Sequence, residues 1–483
     1  MLEARADSDA PAVIADTGSW TGRELIQRAA GAADFLDVAG APLGRSVVAL
    51  LSSTPSAFAL SIGAAATDRA LAPLGPKLTV SELVPIVANI DAEVIVTEPA
   101  HEALAREVAE QTGRRVAVLE HVERSTRSLS FDIAPDRPAA ILHTSGTTGV
   151  PKAVPYRQDR LAARTRVNAE LVMLGPGTTY ASASPFHHIA GIGMMFVAMG
   201  SGAALTSLPT FDLDAWDGLA ARGATHVLIV PTMVEMLLDA ERFSLPGLRV
   251  LQYGAASIHP DTLARALQAM PDVSFVNVYG QTEGSPITCL TPSDHVLAAS
   301  GRLELLNSVG RAAPGVELGI EGADAEGVGE VVARAAHLFK PDADGWLRTG
   351  DLGRIDADGY LYLSGRRGDK IIRGGENVYP MEVEMVLAQH PVVAEACVFG
   401  VPDRKWGEVV AAAVVARDIG SRFDFEDLRA FARERLAGFK VPTVWEQTDA
   451  LPRNVAGKVL RRELIRQHVA IADVTDGLRL TDE

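Results

Sequence analysis

Only two cysteines occur in the 483 residues, Cys289 and Cys397, each inside an apolar stretch, and there is no C-x-x-C pair or His/Cys cluster. A disulfide framework and a thiolate zinc site are therefore excluded, and the composition suits a reducing cytoplasm. Positive charge is also short: 45 Lys+Arg stand against 61 Asp+Glu, a net charge of −16. That balance opposes an extended basic surface, so no nucleic acid partner is expected and small-molecule chemistry becomes the better prior. The segment MLEARADSDAPAVIAD has acidic residues where an export signal would have a basic region followed by an apolar run. Long hydrophobic runs are missing too. The most apolar stretch, Ile189 to Leu205, is interrupted by Gly191, Gly193, Gly200 and Gly202 and falls short of the ~20 apolar residues of a membrane span. It reads as a buried glycine-rich segment.

What is present is a globular composition, 47% hydrophobic and 22% charged. At ~100–200 residues per domain, the length allows two to four folding units with a sizeable core. Short β-branched runs recur at Val47 to Leu51, Val94 to Thr97, Val116 to Leu119, Ala139 to Leu142, Val227 to Val230, Val250 to Tyr253 and Ser274 to Tyr279. Between them lie patterns of helical spacing at Ser81 to Asn89, Leu161 to Leu174, Met233 to Ala240 and Thr262 to Met270. This alternation predicts an α/β fold with helix-covered, mostly parallel sheets. From about Gly327 the texture becomes antiparallel, with Asp358-Gly359 joining Arg354-Ile355-Asp356 to Tyr360-Leu361-Tyr362 as a hairpin. Beyond Asp369 a small α+β unit follows, with Val392 to Phe399, Val409 to Ala416 and a helix over Asp424 to Leu436. The expected domains are 1–367 and 368–483.

The segment Thr144-Ser145-Gly146-Thr147-Thr148-Gly149-Val150-Pro151-Lys152 directly follows an apolar strand. Its glycines let backbone N–H groups face an anion, its hydroxyls add donors or metal ligands, and Lys152 adds a point charge. It is not a Walker A loop, because the G-x-x-x-x-G-K-[ST] spacing is absent. Four further segments follow in order: Tyr279-Gly280-Gln281-Thr282-Glu283, Trp346 to Leu352 with Thr349-Gly350-Asp351, Gly365-Arg366 through Gly374-Gly375 to Pro380, and Pro452 to Lys458. These five segments resemble the signature motifs of the adenylate-forming superfamily, in its acyl-CoA synthetase branch, and extend over about two thirds of the 483 residues. The departures are small: Ala153 replaces a usual glycine, and Ala312 a common proline.

The resemblance implies an ATP-dependent, AMP-forming carboxylic acid:CoA ligase, with ATP, Mg²⁺ and coenzyme A as its small molecules. Thr144 to Gly149 and Lys152 would hold the phosphates, and Thr144 with Glu283 would hold the metal. Gly254, Ala255, Ala256, Tyr279, Gly280 and Thr282 would surround the nucleotide. Asp351 would accept from the ribose hydroxyls, with Arg366 beside the sugar or α-phosphate. Lys458 would bridge the substrate carboxylate and ATP. Asp369 is implied as the hinge of a mobile C-terminal domain, and Gly374-Gly375 as the approach of the pantetheine thiol; a plain Gly-Gly turn is the alternative. The element Pro185-Phe186-His187-His188-Ile189-Ala190-Gly191 resembles the family's Pro-x-Phe-His-x-x-Gly segment and puts His187 and His188 at the acyl pocket with Gly191, Tyr253 and Gly280. The paired histidines could instead be structural or metal-ligating, but no third ligand is visible nearby.

Gly191 to Met199 and Gly280 to Pro286, with Tyr253, are the segments expected to line that pocket; glycine, methionine and small aliphatics there favour an uncharged acid. The chain stops soon after the lysine segment without a carrier domain, which favours free coenzyme A over a separate carrier protein. A homodimer stays open.

Overall fold

The computed structural model describes residues 5–16, 18–144, 152–339, 341–418, 420–453 and 459–468. Packing divides the chain into two units, Met1–Leu318 with Ala333–Leu347, and Gly319–Val332 with Arg348–Glu483. The second unit therefore takes in the hairpin that precedes Asp369. Asp369 itself is a hinge expectation and not a packing boundary.

The first unit holds two large sheets. One has the order Arg115–Val118, Ala92–Thr97, Ser46–Leu50, Ala70–Pro73, Pro138–Thr144, Lys152–Arg157. Its neighbours run parallel except for the last pair, which is antiparallel with Thr144 opposite Lys152. The other runs Arg311–Ala312, Gly284–Leu290, Ser274–Gln281, Val250–Gly254, His226–Ile229, Thr179–Ser182, Ala204–Ser207, Pro11–Ala15, Gly18–Thr21. Its interior is parallel and its edges antiparallel. Every strand expected here is present within a few residues, and the expected helices form at Val80–Ala88, Gln158–Leu171, Pro231–Asp239 and Pro260–Ala269.

Helices Gly22–Val38 and Pro55–Ala65 anchor the main core. Thr21 and Glu24 form a reciprocal capping box on the first, and Thr54 caps the second above Pro55 at its first turn. Small residues set their spacing: a Cβ on Gly63 would stand 2.3 Å from the Ala29 carbonyl oxygen. The glycine-rich stretch is buried as expected, as a π-turn over Ile189–Gly193 followed by helix Met194–Ser201. Among the described residues no helix is long and apolar enough to cross a membrane.

The second unit contains the expected Asp-Gly hairpin, Leu347–Ile355 with Leu361–Arg366, in a four-stranded sheet whose other strands are Glu317–Glu321 and Gly329–Arg334. A five-stranded sheet is built on the long pair Val393–Asp403 and Gly407–Ala416, with helix Phe425–Arg433 in place of the longer helix expected. Cys289 and Cys397 are both buried free thiols, and burial pushes each up to about 12.

Several histidines are locked in neutral form inside the first unit. His295 shows why: its Nδ1 stands 2.7 Å from the Thr291 carbonyl and its Nε2 2.9 Å from the Tyr253 hydroxyl. The carbonyl can only accept, so Nδ1 carries the proton and Nε2 accepts from the tyrosine. Burial lowers His295, His143 and His226 to about 4. The unfolded chain, with imidazoles near ~6.5, takes up protons first as pH falls. The stability of the neutral form is therefore complete above ~6.5 and is lost toward pH 4, by up to about 1.4 kcal/mol per pH unit for each imidazole. Urea unfolding should give a flat free energy from about pH 7 to 8 and a steep fall from about 6.5 to 4. His295→Gln should shallow that fall; a profile that stays flat down to pH 5 would contradict the assignment.

Candidate active site

The first cluster forms where two strands end. Strand Pro138–Thr144 runs into the phosphate-loop sequence, and its antiparallel partner begins at Lys152, so the ladder pins both ends of the intervening loop. Residues 145–151, including Ser145, Gly146, Thr147, Thr148 and Gly149, lie outside the described residues, as does Lys458. Thr144 Oγ1 donates to Glu283 Oε1 at 3.2 Å, across 139 residues of chain. The expected metal pair is thus brought together, and both donors are the hard oxygens that Mg²⁺ prefers. Among the described residues no group of three His, Cys, Asp or Glu side chains gathers to hold a metal. Two oxygens from the protein leave the remaining positions for phosphate and water, which is how Mg²⁺ is commonly held.

Glu283 sits in the tight connection between Ser274–Gln281 and Gly284–Leu290. That connection is fixed from several sides. The Tyr156 hydroxyl donates to the Thr282 carbonyl at 3.0 Å, the Phe339 amide donates to the Glu283 carbonyl at 2.8 Å, and the two rings stack at 3.8 Å. A Cβ on Gly280 would come 2.7 Å from Ser285 Cβ, so only glycine allows the approach. Tyr279 is half-buried against the small cluster of Ile287, Leu338 and Leu347.

Strand Val250–Gly254 delivers the expected adenine segment. A Cβ on Gly254 would lie 2.7 Å from the Val278 carbonyl oxygen, Ala255 is held at φ +65°, and Ala256 is exposed. A left-handed alanine costs about 1 kcal/mol, a strain that marks functional turns more often than plain ones. Tyr253 differs from its expected place at the pocket surface: its ring is buried and its hydroxyl bonds His295. Packing thus accounts for this side chain.

His187 and His188 are neighbours with ring centroids 4.3 Å apart. Burial lowers both, His187 to about 3, so both are neutral at physiological pH. His187 Nδ1 and His188 Nε2 are buried with no partner among the described residues. Gly191 closes this turn: its amide donates to the His188 carbonyl at 2.9 Å, and a Cβ there would collide with the Pro185 carbonyl oxygen at 2.1 Å.

Within the second unit, Asp351 and Arg366 face each other across the hairpin, Arg366 Nε donating to Asp351 Oδ1 at 2.8 Å. The Thr349 hydroxyl supports the turn, accepting from the Asp351 amide at 3.1 Å and donating to the Val331 carbonyl at 2.8 Å. Asp369 is engaged by Arg461, which also bonds Glu384 at 2.7 Å and the Val398 carbonyl at 2.8 Å. Gly374 and Gly375 both have positive φ, +61° and +92°, and form the turn between Ile371–Arg373 and Glu376–Val378. Positive φ at both positions is a demand of the turn itself, whatever approaches it.

Arg164 is a residue that sequence reasoning missed. It is fully buried and has no carboxylate partner among the described residues: Nη1 donates to the Gly193 carbonyl at 2.7 Å and Nε to the Ser285 carbonyl at 3.1 Å. It ties helix Gln158–Leu171 to both segments expected to wall the acyl pocket. A buried arginine on a helix leaves no periodic signal.

The family description AMP-binding enzyme matches residues 2–341, and AMP-binding enzyme C-terminal domain matches residues 382–458. The fatty acid–[acyl-carrier-protein] ligase ScoC of Streptomyces coeruleorubidus is 33% identical over 96% of this chain and 94% of its own. The sulfoacetate–CoA ligase of Cupriavidus necator is 32% identical over 88% of each. The solved amide bond synthetase McbA from Marinactinospora thermotolerans superposes with a TM-score of 0.87 at 31% identity, covering 96% of this chain and 98% of that one.

Removing Arg164 tests its positioning role. Arg164→Met leaves two buried carbonyls without donors and should lower the free energy of unfolding by about 2–4 kcal/mol, read by denaturant titration. Arg164→Lys, with a single ammonium in place of the guanidinium fork, should recover less than half. An unchanged midpoint in Arg164→Met would show that the carbonyls find other donors.

Proposed function

The chain belongs to the AMP-binding enzyme family, and on that footing we propose that it joins a carboxylic acid to coenzyme A in two half-reactions. In the first, a carboxylate oxygen attacks the α-phosphorus of ATP in line and pyrophosphate leaves, giving an acyl-adenylate. In the second, the coenzyme A thiol attacks the acyl carbon, its proton is lost to solvent, and AMP leaves. The observation that carries this reading is the Thr144–Glu283 hydrogen bond, which joins the end of the phosphate loop to the Tyr-Gly-x-Thr-Glu segment.

Several negative charges converge in the first step, so positioning and charge neutralisation supply most of the catalysis. Thr144 and Glu283 would hold Mg²⁺, whose charge offsets that of the phosphates when it is bound. Ser145 to Gly149 and Lys152 cradle the phosphates, and the strained turn Gly254-Ala255-Ala256 with Tyr279 receives the base. Asp351 accepts from the ribose hydroxyls, with Arg366 orienting the carboxylate. Lys458 bridges the substrate carboxylate and ATP oxygens. His188 presents an unpartnered ring nitrogen to the acid without importing charge into the pocket. The turn at Gly374-Gly375 lets the thiol approach, and Asp369 serves as the pivot of the C-terminal domain.

Transfer to a separate carrier protein is the second reading, supported by the relative that acts on an acyl-carrier protein. A panel of aliphatic and aryl acids with ATP and Mg²⁺, followed for pyrophosphate, AMP and thioester with and without coenzyme A, separates the two. AMP and an acyl-CoA product support the first; pyrophosphate exchange with no thioester supports the second; ADP formation refutes both. Lys458→Ala should slow adenylate formation about 10²-fold or more while leaving thioester formation from supplied acyl-adenylate mostly intact. Equal loss in both half-reactions would remove Lys458 from the assigned role.

A further inference from the structure

A small cavity beside the π-turn is lined by Ser53, Ser182, Ser184, Thr206, Gly191 and Met195, with further apolar side chains behind them. Its free space is that of about one water molecule. Two of its hydroxyls, those of Ser182 and Ser53, serve the local structure. The Ser182 hydroxyl donates to the Ala190 carbonyl at 3.0 Å and accepts from the Ser184 amide at 3.2 Å, while the Ser53 hydroxyl faces the Ser184 carbonyl at 3.5 Å.

Thr206 is different. It lies on strand Ala204–Ser207 with 1% of its surface exposed, and among the described residues its hydroxyl has no hydrogen-bond partner. Valine has the same shape, suits a strand as well, and would carry no such penalty. An unpaired buried hydroxyl costs about 1–3 kcal/mol, so a polar partner from outside the chain, a water or a ligand hydroxyl, is stabilising at this position. The cavity excludes a bulky group and a charge: it is too small for the first, and no ionisable side chain lines it to balance the second. What fits is one neutral, hydroxyl-sized polar atom.

We infer that Thr206 is a specificity residue, and that the acid this enzyme activates carries a second, uncharged polar group, such as a hydroxyl, remote from its carboxylate and seated against Thr206. The inference rests on the ligase reading above and on the assignment of Gly191 to the acyl pocket, since Gly191 and Met195 line the same cavity. It stays within the uncharged acid suggested by the sequence alone and adds a polar group to it. Residues far apart in the chain, Ser53 and Thr206, bring hydroxyls to a segment otherwise made of glycine, methionine and aliphatics.

The test pairs acids of one skeleton with and without a remote hydroxyl: a hydroxyphenyl acid against its phenyl parent, and an ω-hydroxy alkanoic acid against the alkanoic acid. Pyrophosphate release is measured for the full chain with ATP and Mg²⁺. The native enzyme should prefer the hydroxylated member in at least one pair. Thr206→Val should reduce that kcat/KM ratio about tenfold, mainly by slowing the hydroxylated acid, and Thr206→Ser should retain it. If Thr206→Val slows both members equally, or only changes the melting temperature, the hydroxyl partners a structural water and the inference fails while the ligase reading stands. If plain acids are favoured in every pair, it also fails. If no acid releases pyrophosphate from the native protein, the ligase reading itself fails, and this inference with it.

Discussion

A single hydrogen bond, Thr144 Oγ1 to Glu283 Oε1, marks the place where two independently built sheets must agree. Thr144 is the last residue of a strand in the six-stranded sheet, and Glu283 sits in a hairpin connection of the nine-stranded one. Thr144 has a short side chain, so the cores beneath must bring the end of its strand within reach of the Glu283 carboxylate. The alanine-rich contact of Gly22–Val38 with Pro55–Ala65 and the Tyr156–Phe339 stack provide such fixed spacings, because small and planar groups pack with few alternative rotamers.

The same constraint explains the polar interior beside the acyl segments. Gly191 and Gly280 bring backbone so close that carbonyl groups are buried without a regular ladder to satisfy them. Arg164 answers this with donors from a helix, bonding carbonyls of both segments at once. His187 and His188 stay neutral in this setting because burial penalises the charged imidazole, and in His187 the neighbouring His188 adds to that penalty. A pocket built this way presents neutral donors and acceptors to its ligand instead of a formal charge.

Much of this was legible in the sequence, for reasons that can be named. Strands such as Ser46–Leu50 are buried on both faces and appear as unbroken β-branched runs. The five chemical segments were legible as a resemblance to a family that the chain matches, through residue types suited to phosphate, metal and turn geometry. Other elements left no pattern to find. Helix Pro55–Ala65 is buried all round, so its apolar residues show no 3.6-residue period. Strand Lys152–Arg157 carries Pro155, which argues against a strand unless it lies at a sheet edge, where this one does. Helix Gly22–Val38 did carry a signal, the Thr21-x-x-Glu24 capping box. Arg164, Arg461 and Thr206 act through tertiary neighbours alone, and nothing in their own surroundings along the chain distinguishes them.

The glycine pair shows where a motif and a mechanism must be weighed separately. Gly374 and Gly375 occupy left-handed backbone in a two-residue turn, a conformation that selects glycine whatever passes nearby. Gly374 carries a further demand, because a Cβ there would press into the Trp406 ring at 2.7 Å while its amide is bonded to the Trp406 carbonyl. Turn geometry would tolerate asparagine at such a site; ring contact would not. The case for thiol access therefore gains little from the presence of two glycines. It rests instead on the exposed Trp406, flanked by Lys405 and Arg373, which gives the turn a broad aromatic and cationic face that hairpin stability does not require. A face of that chemistry suits a phosphorylated, nucleotide-bearing thiol, and it would equally suit the acidic surface of a carrier protein.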